Sequence, residues 1–206
     1  MTTTHYQTGL KTQKRVVLER GVKQLGLSCS DEQIDQLLTY LEMLDRWNQA
    51  YNLTAIKDPL EMIGLHLLDS LAVSPMLSGE SCIDVGTGAG LPGIPLAIMN
   101  PKKKFTLLDS NGKKTRFLFQ AKIELKLSNI QEVNTRVEKY LPEHGYDHVL
   151  SRAFSSLSDM VGYCDHLLTT GGSFLALKGR IDKTELSDIP KSYMVDEIHP
   201  LNVPGV

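Results

Sequence analysis

A run of closely spaced glycines constrains the fold of this chain more than any other feature. The run reads DVGTGAGLPG and occupies residues 84–93. Its first two residues are also the last two of a short apolar segment, SCIDV, at 81–85. Glycine has no Cβ and adopts left-handed backbone freely, so this loop can turn sharply and approach a ligand closely. A strand, a glycine-rich turn and then a helix predict a ligand at the carboxyl end of a parallel sheet.

The rest of the second half repeats the alternation of strand and helix. Apolar strand patterns at 104–109, 129–134, 146–151 and 173–178 are separated by helical patterns, among them a basic helix through Leu127 and one near 157–168. This spacing predicts βαβ units and an α/β fold with a Rossmann-like parallel sheet. The segment 193–203 resembles a sixth strand, and a doubly wound sheet often closes with one further edge strand, which we expect this chain to lack.

The first 80 residues predict a helical unit. Residues 1–12 look like a disordered leader, and a helix at 14–26 ends at Gly26. Ser30 and Gln33 form a predicted capping box for a second helix. Asp58 and Pro59 begin a third helix that continues to about Leu77. We therefore expect a helical cap at 13–80 that forms one compact unit with the α/β domain at 81–206.

Composition excludes several classes of protein. Hydrophobic residues are 41% and charged residues 22% of 206 residues, which argues against a disordered, collagen-like or membrane-spanning chain. Three cysteines without a CxxC pair argue against a disulfide framework and a cysteine zinc site, and no His/Cys/Asp cluster has metal-ligand spacing. The N-terminal stretch has no apolar core of a signal peptide, so we expect a cytoplasmic protein with no metal.

The small net charge of −2 hides an uneven distribution. Residues 102–126 carry two acids and eight bases, which are Lys102, Lys103, Lys104, Lys113, Lys114, Arg116, Lys122 and Lys126. Two interpretations stay open, a solvated face and a basic surface that binds phosphates.

The glycine run fits two classes of cofactor. The pattern Gly88-x-Gly90-x-x-Gly93 matches the dinucleotide fingerprint. The pattern Asp84-x-Gly86-x-Gly88-x-Gly90 places a carboxylate before the first glycine, which suits the ammonium of S-adenosylmethionine and repels a pyrophosphate. Asp109 ends the second predicted strand, where a carboxylate binds both ribose hydroxyls of either cofactor.

The ends of the later strands supply further candidates. Val137 and Glu138 follow the third strand where an adenine would lie, although an acid such as Glu138, taken alone, is more often a solvated residue at a helix start. Arg152 and Phe154 follow the fourth strand; Arg152 suits the cofactor carboxylate, the substrate or a structural role. His66 suits either the core or the cleft. The fourth strand ends without the Asn/Asp-Pro-Pro run of amine methyltransferases and without a Pro-Cys nucleophile, and no Ser/His/Asp arrangement is visible.

Several strings together resemble the bacterial small-subunit ribosomal RNA methyltransferase G family, also called glucose-inhibited division protein B. They span residues from about 14 onward, namely WN at 47–48, YNLT at 51–54, HLLDS at 66–70, DVGTGAGLPG, LLDSNGKKTRFL at 107–118, NTRVE at 134–138, LSRAFSSL at 150–157 and LALKG at 175–179. The resemblance implies a class I methyltransferase that uses S-adenosylmethionine to methylate N7 of one guanine in 16S ribosomal RNA, on the 30S subunit or its assembly intermediate.

The resemblance also assigns residues. It implies cofactor contacts for Gly86, Leu91, Val137, Glu138 and Arg152. Guanine N7 has a lone pair and no proton, so no general base is expected, and Arg152 and Phe154 become candidates for positioning.

The basic residues complete this hypothesis. We expect Lys113, Lys114 and Arg116 to contact RNA, and we expect a monomer with no membrane partner. Leu65, where relatives often carry a basic residue, departs from the family pattern. Two alternatives stay open, an NAD(P)-dependent oxidoreductase, supported by the GxGxxG overlap, and a non-catalytic RNA-binding module.

Overall fold

The N-terminal part of the chain is helical. The computed structural model describes residues 2–181 and 183–206. This part contains α1 (Thr2–Gln24), α2 (Asp31–Tyr51), α3 (Pro59–Met62) and α4 (Asp69–Leu71), with the π-helical segment Ile63–Leu68 between α3 and α4 and a 3-10 turn at Ser74–Met76. No helix in the described ranges is long and apolar enough to cross a membrane.

The start of α1 corrects the expected leader. The sequence predicts disorder over 1–12, whereas α1 begins at Thr2, and Met1 lies outside the described residues. The apolar pattern that indicates this helix starts only near Leu18. Once that part is helical, each added residue gains a hydrogen bond at little cost, and no proline stops the helix upstream.

The predicted caps form. The Ser30 side chain accepts a hydrogen bond from the Gln33 backbone, and the Gln33 side chain accepts one from the Ser30 backbone. The Asp58 carboxylate accepts hydrogen bonds from the first free N–H groups of α3. The apolar side chains of α2 that face the core are buried, namely Ile34, Leu37, Leu38, Leu41, Met43 and Leu44. The third helix begins at Pro59 as predicted, but it ends at Leu71 rather than near Leu77. Its π-helical middle has no signal in the sequence.

The second half forms a parallel sheet. Its strands are β1 (Ser81–Val85), β2 (Lys104–Asp109), β3 (Ile130–Asn134), β4 (Tyr146–Ser151) and β5 (Leu168–Ala176), in the order β3-β2-β1-β4-β5. Every pairing is parallel, so all strands end at one edge, which we call the carboxyl edge. The strand order reverses between β1 and β4, and such a switch point is where α/β sheets bind ligands.

Strand β5 begins earlier than the predicted segment 173–178. Its pairing with β4 is irregular between Leu168 and Ser173, where Gly171 takes a φ of +82°. Regular pairing resumes at Ser173, where the sequence predicts the strand to start. The sixth predicted strand, at 193–203, is wrong, because those residues form no strand. Their apolar pattern gives β propensity, but a strand also needs a ladder partner.

Helices cover both faces of the sheet. Helices α5 (Gly93–Met99) and α6 (Gly112–Glu124) share one apolar cluster with α1 to α4, and α7 (Leu157–Cys164) packs on the opposite face. The successive residues Cys82 and Ile83 point into these two different clusters. A short helix, α8 (Lys183–Ser187), contacts α7. The helical cap and the sheet therefore share one core.

Candidate functional site

The glycine loop between β1 and α5 forms the centre of the candidate site. The N–H groups of Gly86 and Thr87 both donate to the Leu108 carbonyl, at 2.9 and 3.1 Å, which ties the loop to β2. Gly86, Gly88 and Gly90 take φ values of +70°, +61° and +90°. A Cβ on Gly86 would lie 2.6 Å from the Ala153 Cβ, whereas a Cβ on Gly88 would meet nothing nearer than 4.0 Å. Gly88 thus borders open space that a ligand can fill.

Asp84 lies fully buried at the end of β1. Its Oδ2 accepts hydrogen bonds from Thr87 Oγ1 at 2.6 Å and from the Gly93 N–H at 2.9 Å. Its Oδ1 is buried with no hydrogen-bond partner among the described residues. Burial raises the pKa of Asp84 to about 6, although the two hydrogen bonds and the Arg152 charge lower it. The group is therefore ionised near neutral pH and lacks one donor.

Asp109 ends β2 and is the second buried carboxylate of the edge. Its Oδ2 accepts from the Gly88 N–H at 3.0 Å, and its Oδ1 accepts from the Asn111 N–H at 2.8 Å. Lys114 Nζ lies 3.5 Å from Oδ2. Each carboxylate oxygen has a second lone pair, so both oxygens can still accept from a ligand hydroxyl.

Arg152 is the first residue after β4, and its side chain reaches the helical cap. Its Nη1 donates to Asp69 Oδ2 at 2.8 Å, and the two side chains are 28% and 30% exposed. The turn beneath it is fixed because Ser151 Oγ donates to the Val85 carbonyl and accepts from the Ala153 N–H. The edge thus includes a side chain from α4.

The remaining predicted residues lie at the same edge or under it. Leu91 is buried behind the loop, where Tyr40 of α2 donates to the Ala89 carbonyl at 2.8 Å. Val137 is buried and Glu138 exposed on a 3-10 turn after β3. Phe154 is half-buried and stacks on Tyr163, with ring centroids 6.3 Å apart.

His66 lies in the core. It is buried, and its Nε2 is 2.8 Å from Thr54 Oγ1. Burial lowers its pKa. Among the described residues, no group of three or more His, Cys, Asp or Glu side chains is placed to hold a metal ion.

The basic segment divides between the two edges of the sheet. Lys102 and Lys104 are exposed where β2 begins, and Lys122 and Lys126 lie where α6 has returned to that amino edge. Only Lys113, Lys114 and Arg116 lie at the start of α6, beside the carboxyl edge. These charges form one run in the sequence. Because α6 runs antiparallel to β2, the two groups of charges lie at opposite ends of the strands.

The pairing of the basic residues differs between the groups. Lys103 donates to the Gly79 carbonyl, and Lys122 pairs with Glu132 at 3.1 Å. Lys113 and Arg116 are exposed, whereas Lys114 turns toward Asp109. Within this basic segment, Lys113 and Arg116 are thus the exposed bases that lie beside the site.

The site fits a ligand that carries an ammonium and a ribose. The unpartnered Asp84 Oδ1 is costly in isolation, so a donor from a ligand or from a water held by it belongs there. Asp109 offers paired acceptors for vicinal hydroxyls, and the glycines leave room for the chain between them. A pyrophosphate would instead place its charge beside two buried carboxylates.

Sequence reasoning missed three contributors to this site. Asp69 belongs to the string HLLDS, but nothing local shows that it meets a residue 83 positions later. Thr87 donates to the Asp84 carboxylate, and Tyr40 donates to the Ala89 carbonyl of the loop. Neither residue belongs to a sequence pattern that predicts its contact. An acidic residue on a helix could pair with many arginines in a sequence. The pair of Asp69 and Arg152 could be predicted only once the fold had placed α4 beside the end of β4.

Solved structures support the fold. Coclaurine N-methyltransferase, solved with N-methylheliamine and S-adenosylhomocysteine, superposes with a TM-score of 0.51 at 15% identity, over 82% of this chain and 57% of that enzyme. This likeness concerns the α/β architecture alone.

Sequence relatives are much closer. Ribosomal RNA small subunit methyltransferase G of Marinomonas sp. (strain MWYL1) is 53% identical over 92% of this chain and 91% of the relative. The protein of the same name from Shewanella frigidimarina (strain NCIMB 400) is 52% identical over 91% of each chain. The family model described as rRNA small subunit methyltransferase G matches residues 33–206. The chain therefore belongs to the rRNA small subunit methyltransferase G family.

Proposed function

We propose that this protein transfers a methyl group from S-adenosylmethionine to N7 of a guanine in 16S ribosomal RNA. Membership of the family supports the reaction and the RNA. The observation that carries the cofactor assignment is the glycine loop between the buried carboxylates of Asp84 and Asp109. One oxygen of Asp84, Oδ1, has no hydrogen-bond donor among the described residues.

Each cofactor contact follows from the chemistry of its residue. Asp84 attracts the ammonium through its unpartnered oxygen, and Asp109 accepts from the ribose hydroxyls. Gly86, Gly88 and Gly90 leave room for the methionine chain, and Leu91 closes the loop from below. Val137 and Glu138 face the adenine, where a carboxylate suits the exocyclic amine, and Arg152 binds the cofactor carboxylate.

The transfer itself asks little of the protein beyond geometry. The cofactor supplies an electrophilic methyl group, and guanine N7 offers an in-plane lone pair with no proton to remove. Holding the two atoms in line can lower the barrier by about 7–11 kcal/mol at best. The methylated guanine is cationic, so the face of Phe154 is a suitable neighbour.

The start of α6 is the proposed RNA contact. Lys113 and Arg116 are exposed beside the carboxyl edge, and phosphate contacts by such residues position an RNA without reading its sequence. Lys114 Nζ lies 3.5 Å from Asp109 Oδ2, so it borders the proposed cofactor site. Its positive charge can therefore act on both the cofactor and the RNA.

The proposed substrate is the 30S subunit or its assembly intermediate, and the reaction takes place in the cytoplasm, where ribosomes are assembled. We propose that the monomer is the active form. Light scattering of the protein during turnover tests this, and a dimer that alone is active would contradict it.

The experiment has two arms. Calorimetric titration with S-adenosylhomocysteine and with NADH separates the two cofactor classes, and binding of NADH alone would overturn the proposal. Transfer of labelled methyl to 30S subunits from a strain that lacks this family's enzyme is expected, whereas 30S subunits from the parent strain serve as the already modified control. Equal labelling of both would show a different target.

A further inference from the structure

The helical cap sends one charged side chain to the carboxyl edge. Asp69, the first residue of α4, holds Arg152 by a 2.8 Å ion pair across 83 positions of sequence. The pair uses one N–H of the guanidinium. In the described part of the chain, the other N–H groups of Arg152 have no hydrogen-bond partner. Arg152 is thus anchored on one side and open on the other.

The anchor is rigid. The neighbours of Asp69 in the helix, Leu68, Ser70 and Leu71, are buried, and Ser70 Oγ donates to the His66 carbonyl at 2.5 Å. The Asp69 N–H donates to the Gly64 and His66 carbonyls where the π-helical segment ends. π-Helical turns inside helices occur frequently at functional sites. The backbone of Asp69 therefore has a fixed position relative to the core.

Arg152 needs such an anchor. Its backbone is fixed by Ser151, but its side chain is long and has several rotatable bonds. A carboxylate that takes one N–H holds the planar guanidinium in one orientation, so the remaining donors keep a defined direction. The charge of Arg152 also lowers the pKa of Asp84, the residue at the start of the glycine loop.

We propose that Asp69 is a positioning residue that acts through Arg152, so that the helical cap forms part of the cofactor site. This rests on the proposed function, because Arg152 is taken to bind the cofactor carboxylate. Asp69 itself touches neither cofactor nor RNA. Its effect is to make the guanidinium ready before the ligand arrives, which lowers the entropic cost of binding.

The test is a double-mutant cycle read by calorimetry with S-adenosylhomocysteine. Asp69→Asn keeps the shape of the side chain and removes its charge, and we expect the Kd to rise about three- to tenfold, since a charged hydrogen bond is lost at a partly exposed site. Arg152→Ala raises the Kd further. Adding Asp69→Asn to Arg152→Ala changes the Kd by less than about twofold, because the carboxylate then has nothing to position.

A matched control separates positioning from stability. Glu124→Gln removes a different ion pair of the helical cap, Arg46 Nη2 of α2 to Glu124 Oε2 at 3.1 Å, at the far end of α6. We expect this variant to bind S-adenosylhomocysteine with the Kd of the wild type. We also expect its Tm to be similar to that of Asp69→Asn. Asp69→Glu, which retains the charge, is expected to recover part of the lost affinity.

Three results would overturn the inference. They are an unchanged Kd in Asp69→Asn, an effect that stays the same in the Arg152→Ala background, and an equal loss of affinity in the Glu124→Gln control. A wild type that fails to bind S-adenosylhomocysteine would instead overturn the proposed function, so the two failures are distinguishable.

Discussion

The buried carboxylate of Asp84 makes the stability of the folded protein depend on pH. Burial raises its pKa to about 6, above the usual value of 3.8, so the folded protein binds its proton more tightly than the unfolded chain does. The stability that this adds is fully present below about pH 4 and is lost as the pH rises through about 6. The difference between these two pKa values corresponds to about 3 kcal/mol of unfolding free energy.

Replacing Asp84 with Asn removes this titration. Relative to the wild type, Asp84→Asn should therefore gain up to about 3 kcal/mol in unfolding free energy between pH 4 and pH 7. Urea unfolding at four pH values across that range measures the difference. Parallel pH profiles for the two proteins would contradict the raised pKa.

Gly93 and Gly88 of the glycine loop should respond differently to substitution by alanine. A Cβ on Gly93 would lie 2.2 Å from Leu107 Cδ2 and 2.9 Å from Asp84 Oδ2, so Gly93→Ala should lower the unfolding free energy by about 1–3 kcal/mol. Gly88 borders open space at a φ of +61°. Gly88→Ala should lower the unfolding free energy by only about 1–2 kcal/mol, but its methyl group enters the cofactor space.

Thermal unfolding and calorimetry together check this pair. We expect Gly88→Ala to weaken S-adenosylhomocysteine binding by more than about tenfold while the protein stays folded. If Gly88→Ala bound S-adenosylhomocysteine as tightly as the wild type, the glycine loop would not be part of the cofactor site.

At the scale of elements, α6 shows what a linear charge run becomes in a folded chain. Lys113 and Arg116 lie at the carboxyl edge, and Lys102 and Lys104 at the amino edge. The run is continuous in sequence, so no local signal predicts that separation. It follows only from the reversal of direction between β2 and α6.

This separation gives a direct test on RNA. Reversing Lys113 and Arg116 to Glu should weaken binding to the 30S subunit and reduce the salt dependence by about two phosphate contacts. Reversing Lys102 and Lys104 changes the net charge equally and should leave binding within about twofold. Filter binding at several salt concentrations measures both, and equal losses would indicate long-range attraction without contact.

The same distinction explains which elements the sequence predicts well. β1, β2 and β4 form at their predicted residues, and Ser30 caps α2, because a strand pattern, a glycine turn and a capping box are local signals. The strand predicted at 193–203 does not form, since pairing is not local. The carboxylates of the glycine loop could be predicted from spacing, whereas the pair of Asp69 and Arg152 depends on packing between distant segments.

At the scale of the whole molecule, cap and sheet share one core. Leu37 of α2, Ile94 of α5 and Phe117 of α6 belong to a single buried cluster. Trp47, the one tryptophan of the chain, packs edge-on against Phe117 with ring centroids 5.6 Å apart. A cap that shares its core with the sheet should not unfold separately.

Trp47 fluorescence and far-UV circular dichroism should therefore report the same urea midpoint, because one probe reports the interface and the other all helices. Leu44→Ala in α2 should lower both midpoints together, by about 2–5 kcal/mol in unfolding free energy. A fluorescence transition that precedes the dichroism transition would show that the cap opens first.

The central claim concerns the atom that receives the methyl group. N7-methylguanosine is opened by borohydride and its strand is then cleaved by aniline, whereas a methyl on an exocyclic amine or on ribose survives this treatment. Unmodified 30S subunits incubated with the protein and S-adenosylmethionine should yield 16S ribosomal RNA that is cleaved at one guanine, and only when both are present. Methylated RNA that resists cleavage would contradict the account.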